Sequence, residues 1–328
     1  FSTRFFTQAC FQQCLFIRQS FVYLIPFRWW SVTRFPICFK LGTGGLISQR
    51  IDARKPDEIR PIRIHSSYLP NAEGSVLITA RNTQILCAVS IEERVPPFLS
   101  GSGKGWITAE YGMLPRSTHT WMRRQARNDR GHGRTMEIQR LSGRSLRAVV
   151  DPSLLGNRTF IIDCDVLQAD GGTRTLSITE AYVALYQAMQ DLIGQKILNT
   201  SPWILLHCKY AGAGVSTGLV NGHPLLNLCY AEDSAVDIDF NVVKTDSGEL
   251  VEIQATAEGQ TFTKETMDNL LNLADVGLNE LFKAQQQALK CFSINLPIYL
   301  TKDLPRIGAF FLPPTYSPPI SQNLIRRA

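Results

Sequence analysis

Apolar residues along the chain recur with two periods, and the period changes at short polar interruptions. Ser75–Ala80 and Gln84–Ser90 are β-rich runs on either side of Arg81-Asn82-Thr83, which predicts a hairpin. Over Thr135–Val150, residues Ile138, Leu141, Ser145, Ala148 and Val149 recur at helical spacing and give one apolar face. Thr159–Leu167 reads as a strand in which Ile161 and Ile162 give way to Asp163-Cys164-Asp165. Thr175–Met189 predicts a second amphipathic helix, opened by Thr and Ser residues suited to capping. Two further strands flank Asn221-Gly222, a strong hairpin signal, and Phe240–Lys244 pairs with Leu250–Thr256 around Asp246-Ser247-Gly248. From Thr263 a last helix repeats apolar residues at Met267, Leu270, Leu271, Ala274, Leu278, Leu281 and Phe282. This alternation predicts an α+β, or mixed α/β, core over residues 50–290, built as a single domain without internal repeats.

The two ends read differently. Residues 1–49 contain no Asp or Glu and are rich in Phe, Trp and Arg. They are expected to be a disordered leader, either an organellar transit peptide or upstream sequence translated beyond the true start; their aromatic content favours the second. The apolar run near Leu15–Trp30 is broken by Arg18, Gln19 and Arg28, too often for a membrane span. Residues 291–328, with Leu312-Pro313-Pro314 and Ser317-Pro318-Pro319, are expected to form a poorly ordered Pro-rich tail.

Charge changes this picture only once it is located. The net charge of +6 arises in the flanks: residues 1–51 hold six Lys/Arg and no acid, and residues 52–290 carry a net −3. Within that core, nine arginines from Arg116 to Arg147 fall in one stretch whose only acids are Asp129 and Glu137. Such clustering suits a polyanion, with a solvated helix face as the alternative. The eight cysteines show neither CxxC pairs nor His/Cys zinc spacing. Cys87, Cys164, Cys208 and Cys229 lie in or beside apolar segments and are expected to be buried free thiols, so a reducing intracellular compartment is the default.

Three segments carry chemistry. Asp170-Gly171-Gly172-Thr173-Arg174-Thr175 follows a strand and opens a helix. Adjacent glycines let backbone N–H groups approach an anion, the helix N-terminus adds partial positive charge, and Thr and Arg side chains add donors. A plain glycine turn is the alternative. Next, Tyr230–Asn241 brings Glu232, Asp233, Asp237 and Asp239 close together, fit either to hold a divalent cation through oxygen or to form a solvated loop. Asp237 and Asp239 share one face if the segment is a strand. Finally, Arg140, Arg144 and Arg147 recur at helical spacing, as a ridge that could track a phosphodiester backbone or as partners of Glu137 and other acids.

Taken together, these segments resemble ribonuclease PH, the phosphorolytic exoribonuclease family that trims tRNA 3′ ends. The resemblance is carried by Lys55-Pro-Asp-Glu-Ile-Arg-Pro61, Ala72-Glu-Gly-Ser75, Glu93-Arg-Val-Pro-Pro-Phe98, Gly105–Arg116, Gly133–Arg140, Asp163–Thr175, Tyr230-Ala-Glu-Asp-Ser234 and Thr256-Ala-Glu-Gly259. It spans about Arg50–Leu289. It implies a ribosomal-protein-S5-domain-2-like fold with β-α-β units, assembled as a homohexamer, a trimer of dimers, in the cytoplasm. It further implies inorganic phosphate as co-substrate, bound by Arg134, Gly172, Thr173 and Arg174. Asp233 and Asp239 match the catalytic aspartates, which would hold Mg²⁺ or Mn²⁺. Arg116 and Arg124 match arginines of the tRNA-binding surface, with Arg123 beside them where Trp121 replaces an arginine. The implied reaction is attack of bound phosphate on the terminal phosphodiester of tRNA precursors and other RNA 3′ ends, releasing nucleoside 5′-diphosphates reversibly.

The chain departs from the family pattern at several places. Leu226-Asn227-Leu228-Cys229-Tyr230 stands where Leu-Asp-Leu-Asp-Tyr is usual, removing negative charge near the expected metal region. Ser142 replaces an aliphatic residue, and Glu180 and Ala255 replace glycines. Silent ring subunits usually lose the phosphate arginine or an aspartate, and Arg134, Arg174, Asp233 and Asp239 all stand here. An active enzyme is therefore expected; the alternative is a catalytically silent RNA-binding subunit of an exosome-like ring.

Overall fold

A computed structural model describes residues 50–123, 133–198, 212–259 and 261–295, all of which fall in one compact unit. The alternating strands form two sheets. The first comprises β1 (Ile62–Ser66), β2 (Gly74–Ala80), β3 (Thr83–Glu92), β4 (Trp106–Met113) and β5 (Thr159–Gln168), in the order β1-β2-β3-β5-β4. The second comprises β6 (Gly212–Val220), β7 (His223–Leu226), β8 (Ile238–Thr245) and β9 (Leu250–Ala257), in the order β7-β6-β8-β9. Four helices accompany them among the described residues: α1 (Gly133–Arg147), α2 (Thr173–Gly194), the single turn α3 (Tyr230–Asp233) and α4 (Lys264–Asn295).

The local rules are visible in the packing. In β2 and β3 the alternating residues Val76, Ile78, Ala80, Ile85, Cys87 and Val89 are fully buried, as a sheet covered on one face requires. The hairpin at Asn221-Gly222 places both residues at positive φ, the turn geometry that Asn-Gly favours. β4 and β5 are parallel and joined through α1, which makes a β-α-β unit; all other pairings are antiparallel. Leu270, Ala274, Leu278, Leu281 and Phe282 of α4 are buried, as its spacing predicts. The fold is thus the mixed α/β architecture expected.

Helix α2 differs from its expectation. It is not amphipathic in the ordinary sense, because residues from Leu176 to Leu185 are buried all round. It packs against β2 and β3 of one sheet, β6 of the other, and both α1 and α4, so solvent reaches little of it. Nor do Thr and Ser cap it: the N-cap is Gly172, and among the described residues no side chain bonds its first N–H groups.

Two other expectations are resolved by pairing. Arg144 bonds Glu252 at 2.6 Å, while Arg147 lies 4.3 Å from the Trp106 ring and donates to the Ile107 carbonyl. Neither is a free cation of a basic ridge, since each neutralises or stacks on its own fold; Arg140, exposed like Arg144, has no such contact among the described residues. Cys87, Cys164 and Cys229 are buried free thiols, and Cys208 lies outside the described residues. Among the described residues no helix is long and apolar enough to cross a membrane.

Candidate active site

The site begins with the loop between β5 and α2. Gly171 and Gly172 both take positive φ, 81° and 65°. A Cβ at Gly171 would lie 2.6 Å from the Leu228 carbonyl oxygen, so glycine is what lets this loop touch the segment that carries the acids. Asp170 ties the two segments together: its Oδ1 accepts from the Tyr230 N–H and its Oδ2 from the Asn82 amide.

Beneath the loop lies Arg60, a residue that its motif held but that the candidate assignments omitted. It has no exposed surface. Its Nη1 donates to the carbonyls of Asp170, at 2.5 Å, and Gly171, and to Thr83 Oγ1; its Nε donates to Asn227 Oδ1 at 2.7 Å. With the loop carbonyls drawn inward to Arg60, the loop's opposite face is left for an anion. Burial pulls the Arg60 pKa down to about 10, with the neighbouring Arg54 adding to it, so the guanidinium remains charged at neutral pH. Asn227 therefore turns toward Arg60, and Cys229 opens α3, where its N–H donates to Glu232 Oε2.

Tyr111 is a second omitted residue. From β4 its hydroxyl bonds Thr173 Oγ1 at 2.9 Å in a buried contact, which orients the first side chain of α2. Arg134, the second residue of α1, faces the same space. Met113, Thr118, His119, Met122, Arg134, Gly171, Gly172, Thr173, Tyr230 and Asp233 all border one cavity of about 390 Å³. Four of the predicted site residues are thereby brought together: Arg134, Gly172, Thr173 and Asp233.

Arg174 and Asp239 complete the group from behind. Arg174 bonds Gln254 of β9 and lies 3.4 Å from Glu137 of α1; Gln254 in turn donates to Glu137 at 2.6 Å. Among the described residues both Arg174 bonds leave from Nη1, so the rest of the guanidinium can address an anion. The Asp233 carboxyl is pushed above its ordinary range by burial, against the pull of Arg134, Arg174 and Arg60. The Asp239 carboxyl is raised too, by burial and then by Asp233, and opposed by Arg174, by the Asn241 amide that donates to its Oδ1 at 3.0 Å, and by Arg134. These mutual influences place both aspartates and both arginines in one electrostatic neighbourhood.

The other acids have structural duties. Glu232 pairs with Arg50 at 2.7 Å, and Asp237, which precedes β8 rather than sharing it, accepts the Gly222 N–H in the adjacent hairpin. Arg116 is exposed and donates to the His119 carbonyl; Arg123 is exposed; Arg124 lies outside the described residues. Among the described residues no three His, Cys, Asp or Glu side chains form a metal-holding group. Two half-buried carboxylates with raised pKa values still suit a hard divalent cation that fills its shell with water and phosphate oxygens.

A mixed α/β fold thus carries a glycine loop at a helix N-terminus, with Arg134 and Asp233 on one cavity and Arg174 and Asp239 coupled to them. The chain belongs to the 3′ exoribonuclease family: residues 58–189 match its domain 1 and residues 212–277 its domain 2. That confirms the resemblance to ribonuclease PH at the level of the family. The crystal structure of rice (Oryza sativa) Rrp46 is similar, with a TM-score of 0.58, 16% identity and coverage of 73% of this chain and 100% of that one. The Archaeoglobus fulgidus exosome with RNA bound to the active site gives 0.58 and 20%, covering 74% and 93%. At such identities the likeness is one of fold.

Proposed function

We propose that the chain is a phosphate-dependent 3′–5′ exoribonuclease that works within a ring of similar subunits. The observation that carries this reading is the convergence of Thr173, Arg134 and Asp233 on one cavity beside the glycine loop, with Arg174 and Asp239 in the same electrostatic neighbourhood. Inorganic phosphate would be held by the first N–H groups of α2, the Thr173 hydroxyl, Arg134 and Arg174. In line with it would lie the terminal phosphodiester, with the leaving 3′ oxygen toward Asp233 and Asp239. Phosphate and diester are both anions, and the two guanidiniums offset their repulsion and hold the reacting atoms in near-attack geometry. A cation such as Mg²⁺ or Mn²⁺, held by Asp233 and Asp239, would supply charge neutralisation at the phosphoryl oxygens. The new P–O bond forms as the bond to the 3′ oxygen breaks, the leaving oxygen takes up a proton, and a nucleoside 5′-diphosphate departs.

Precursors of tRNA are one substrate consistent with this chemistry, and a cytoplasmic homohexamer one possible ring. The similar solved structures include an archaeal exosome, which supports an exosome-like ring over a tRNA-trimming hexamer. They also favour a second reading, an RNA-binding subunit without turnover, in which Arg174 stays engaged with Gln254 and Glu137. One measurement separates these readings. Purified protein should release nucleoside diphosphates from an RNA 3′ end only when phosphate is supplied. RNA binding without any release selects the silent subunit, and phosphate-independent release of monophosphates would overturn the mechanism.

A further inference from the structure

Resting on the reading that this cavity takes an RNA 3′ end, we infer that His119 and Tyr230 form the seat of the terminal nucleobase. Of the cavity's borders, the loop, Arg134 and Asp233 are polar and suit phosphate. Most of the remainder is different in kind: beside Thr118 and Thr120, residues Met113, Met122, Ala169, His119 and Tyr230 offer apolar and aromatic surface. A nucleotide has the same division, a charged phosphate and a flat ring a few ångströms away. The cavity's two chemistries match the two ends of that one residue.

The rings are arranged as a wedge. Their centroids lie 6.2 Å apart and their planes are inclined by 51°, so they do not stack on each other. Tyr230 is 54% exposed, high for a large side chain in a fold with room to bury it. His119 is exposed as well, so rotation about its side-chain torsions widens the wedge to admit a flat ring.

The backbone under both rings is fixed. Ser117 accepts from the Ala169 N–H at 2.8 Å, Met122 donates to the Pro115 carbonyl, and Arg116 holds the His119 carbonyl at 3.1 Å. On the other side the Tyr230 N–H is bonded to Asp170 of the phosphate loop. Tyr230 also lies one helical turn before Asp233, so base and reacting phosphodiester would be addressed from the same turn of α3. Arg116 thus gains a defined task, positioning His119.

Stacking reads no base edge, and each base has a π-face. The seat therefore accepts all four nucleotides, and its contribution is affinity rather than sequence choice. The test uses the full chain and an oligoribonucleotide whose 3′-terminal base is 2-aminopurine, fluorescent when unstacked. Binding should quench it. His119→Ala and Tyr230→Leu should each remove most of the quench and raise the KM for RNA about tenfold, with the KM for phosphate unchanged. Tyr230→Phe and His119→Phe should retain both, which separates stacking from misfolding. An RNA ending in an abasic residue should bind the parent protein as weakly as the natural end binds His119→Ala. A bright terminal base in the bound parent complex, or unchanged quench and KM in His119→Ala while diphosphates are still released, overturns the inference and leaves the proposed reaction intact. Quench lost in the variants with no diphosphate release from any protein supports the seat and sinks the reaction instead.

Discussion

The two walls of the candidate site are finished differently. On the cationic wall each guanidinium that supports the loop or faces the site from behind has fixed partners: Arg60 has carbonyls and Asn227, and Arg174 has Gln254 and Glu137. On the acidic wall Asp239 has one amide donor, from Asn241, and both aspartates are held above their ordinary pKa by burial. A wall whose charges are already braced is ready for an anion. A wall whose carboxylates are partly desolvated has oxygen sites that a cation can complete. The asymmetry teaches which part of the chemistry is built in and which is supplied with the substrates.

The largest effect should come from the acidic wall. Asp239→Asn should lower turnover by on the order of a hundredfold or more while RNA binding, measured by filter retention, is kept. Equal loss of binding would mean that Asp239 shapes the site rather than serving the reaction. Arg174→Ala should raise the KM for phosphate roughly ten- to a hundredfold, the scale of a charge-assisted hydrogen bond, with the KM for RNA little changed. Gln254→Ala should do the same more weakly if bracing matters, because Arg174 would keep its ionic contact with Glu137 alone.

Glu180 sharpens the contrast from inside the core. It is fully buried on α2, its carboxylate meets no side-chain partner among the described residues, and burial drives its pKa well above 4.5, with the nearby Cys164 adding to this and the Ile78 backbone opposing it. The folded state therefore holds a proton that the unfolded state has released once pH exceeds about 4.5, so stability falls as pH rises through that window. Glu180→Met should raise stability at neutral pH by about 1–3 kcal/mol and flatten this pH dependence in denaturant titrations, whereas Glu180→Gln leaves an unpartnered amide and should gain less. No gain from either would show that the carboxyl is better satisfied than its surroundings allow. The smallest effect should be that of Asn241→Ala. Without its amide, Asp239 takes up a proton at higher pH, so the acid limb of turnover moves upward in pH; a limb that stays put separates that limb from Asp239.

What the sequence made legible was local. Asn221-Gly222 and Gly171-Gly172 declare their turns through backbone conformations that few other residues adopt, so those features could be read from neighbours alone. The capping of α2 was misjudged because Thr173 and Thr175 look like caps, while the glycine before them takes that place. Arg144 and Arg147 looked like a ridge for RNA because their spacing is a property of α1, whereas Glu252 and Trp106 are brought by other elements. Arg60 and Tyr111 escaped notice as site residues for the same reason: their partners lie up to 167 and 62 residues away. Spacing reports a face, and only the fold reports what that face meets.

Because α2 is buried along most of its 22 residues, its first turn is the end of a rod about 33 Å long that the whole core grips. The anion site proposed at its tip therefore cannot be switched by a local hinge. In hydrogen-exchange terms, amides from the middle of α2 should exchange only when the entire molecule opens, while those of Thr173 and Arg174 exchange readily and slow when phosphate is added. Phosphate would then leave the amides of mid-α2 untouched at sub-saturating levels, the signature of a socket cast in advance rather than a jaw that closes.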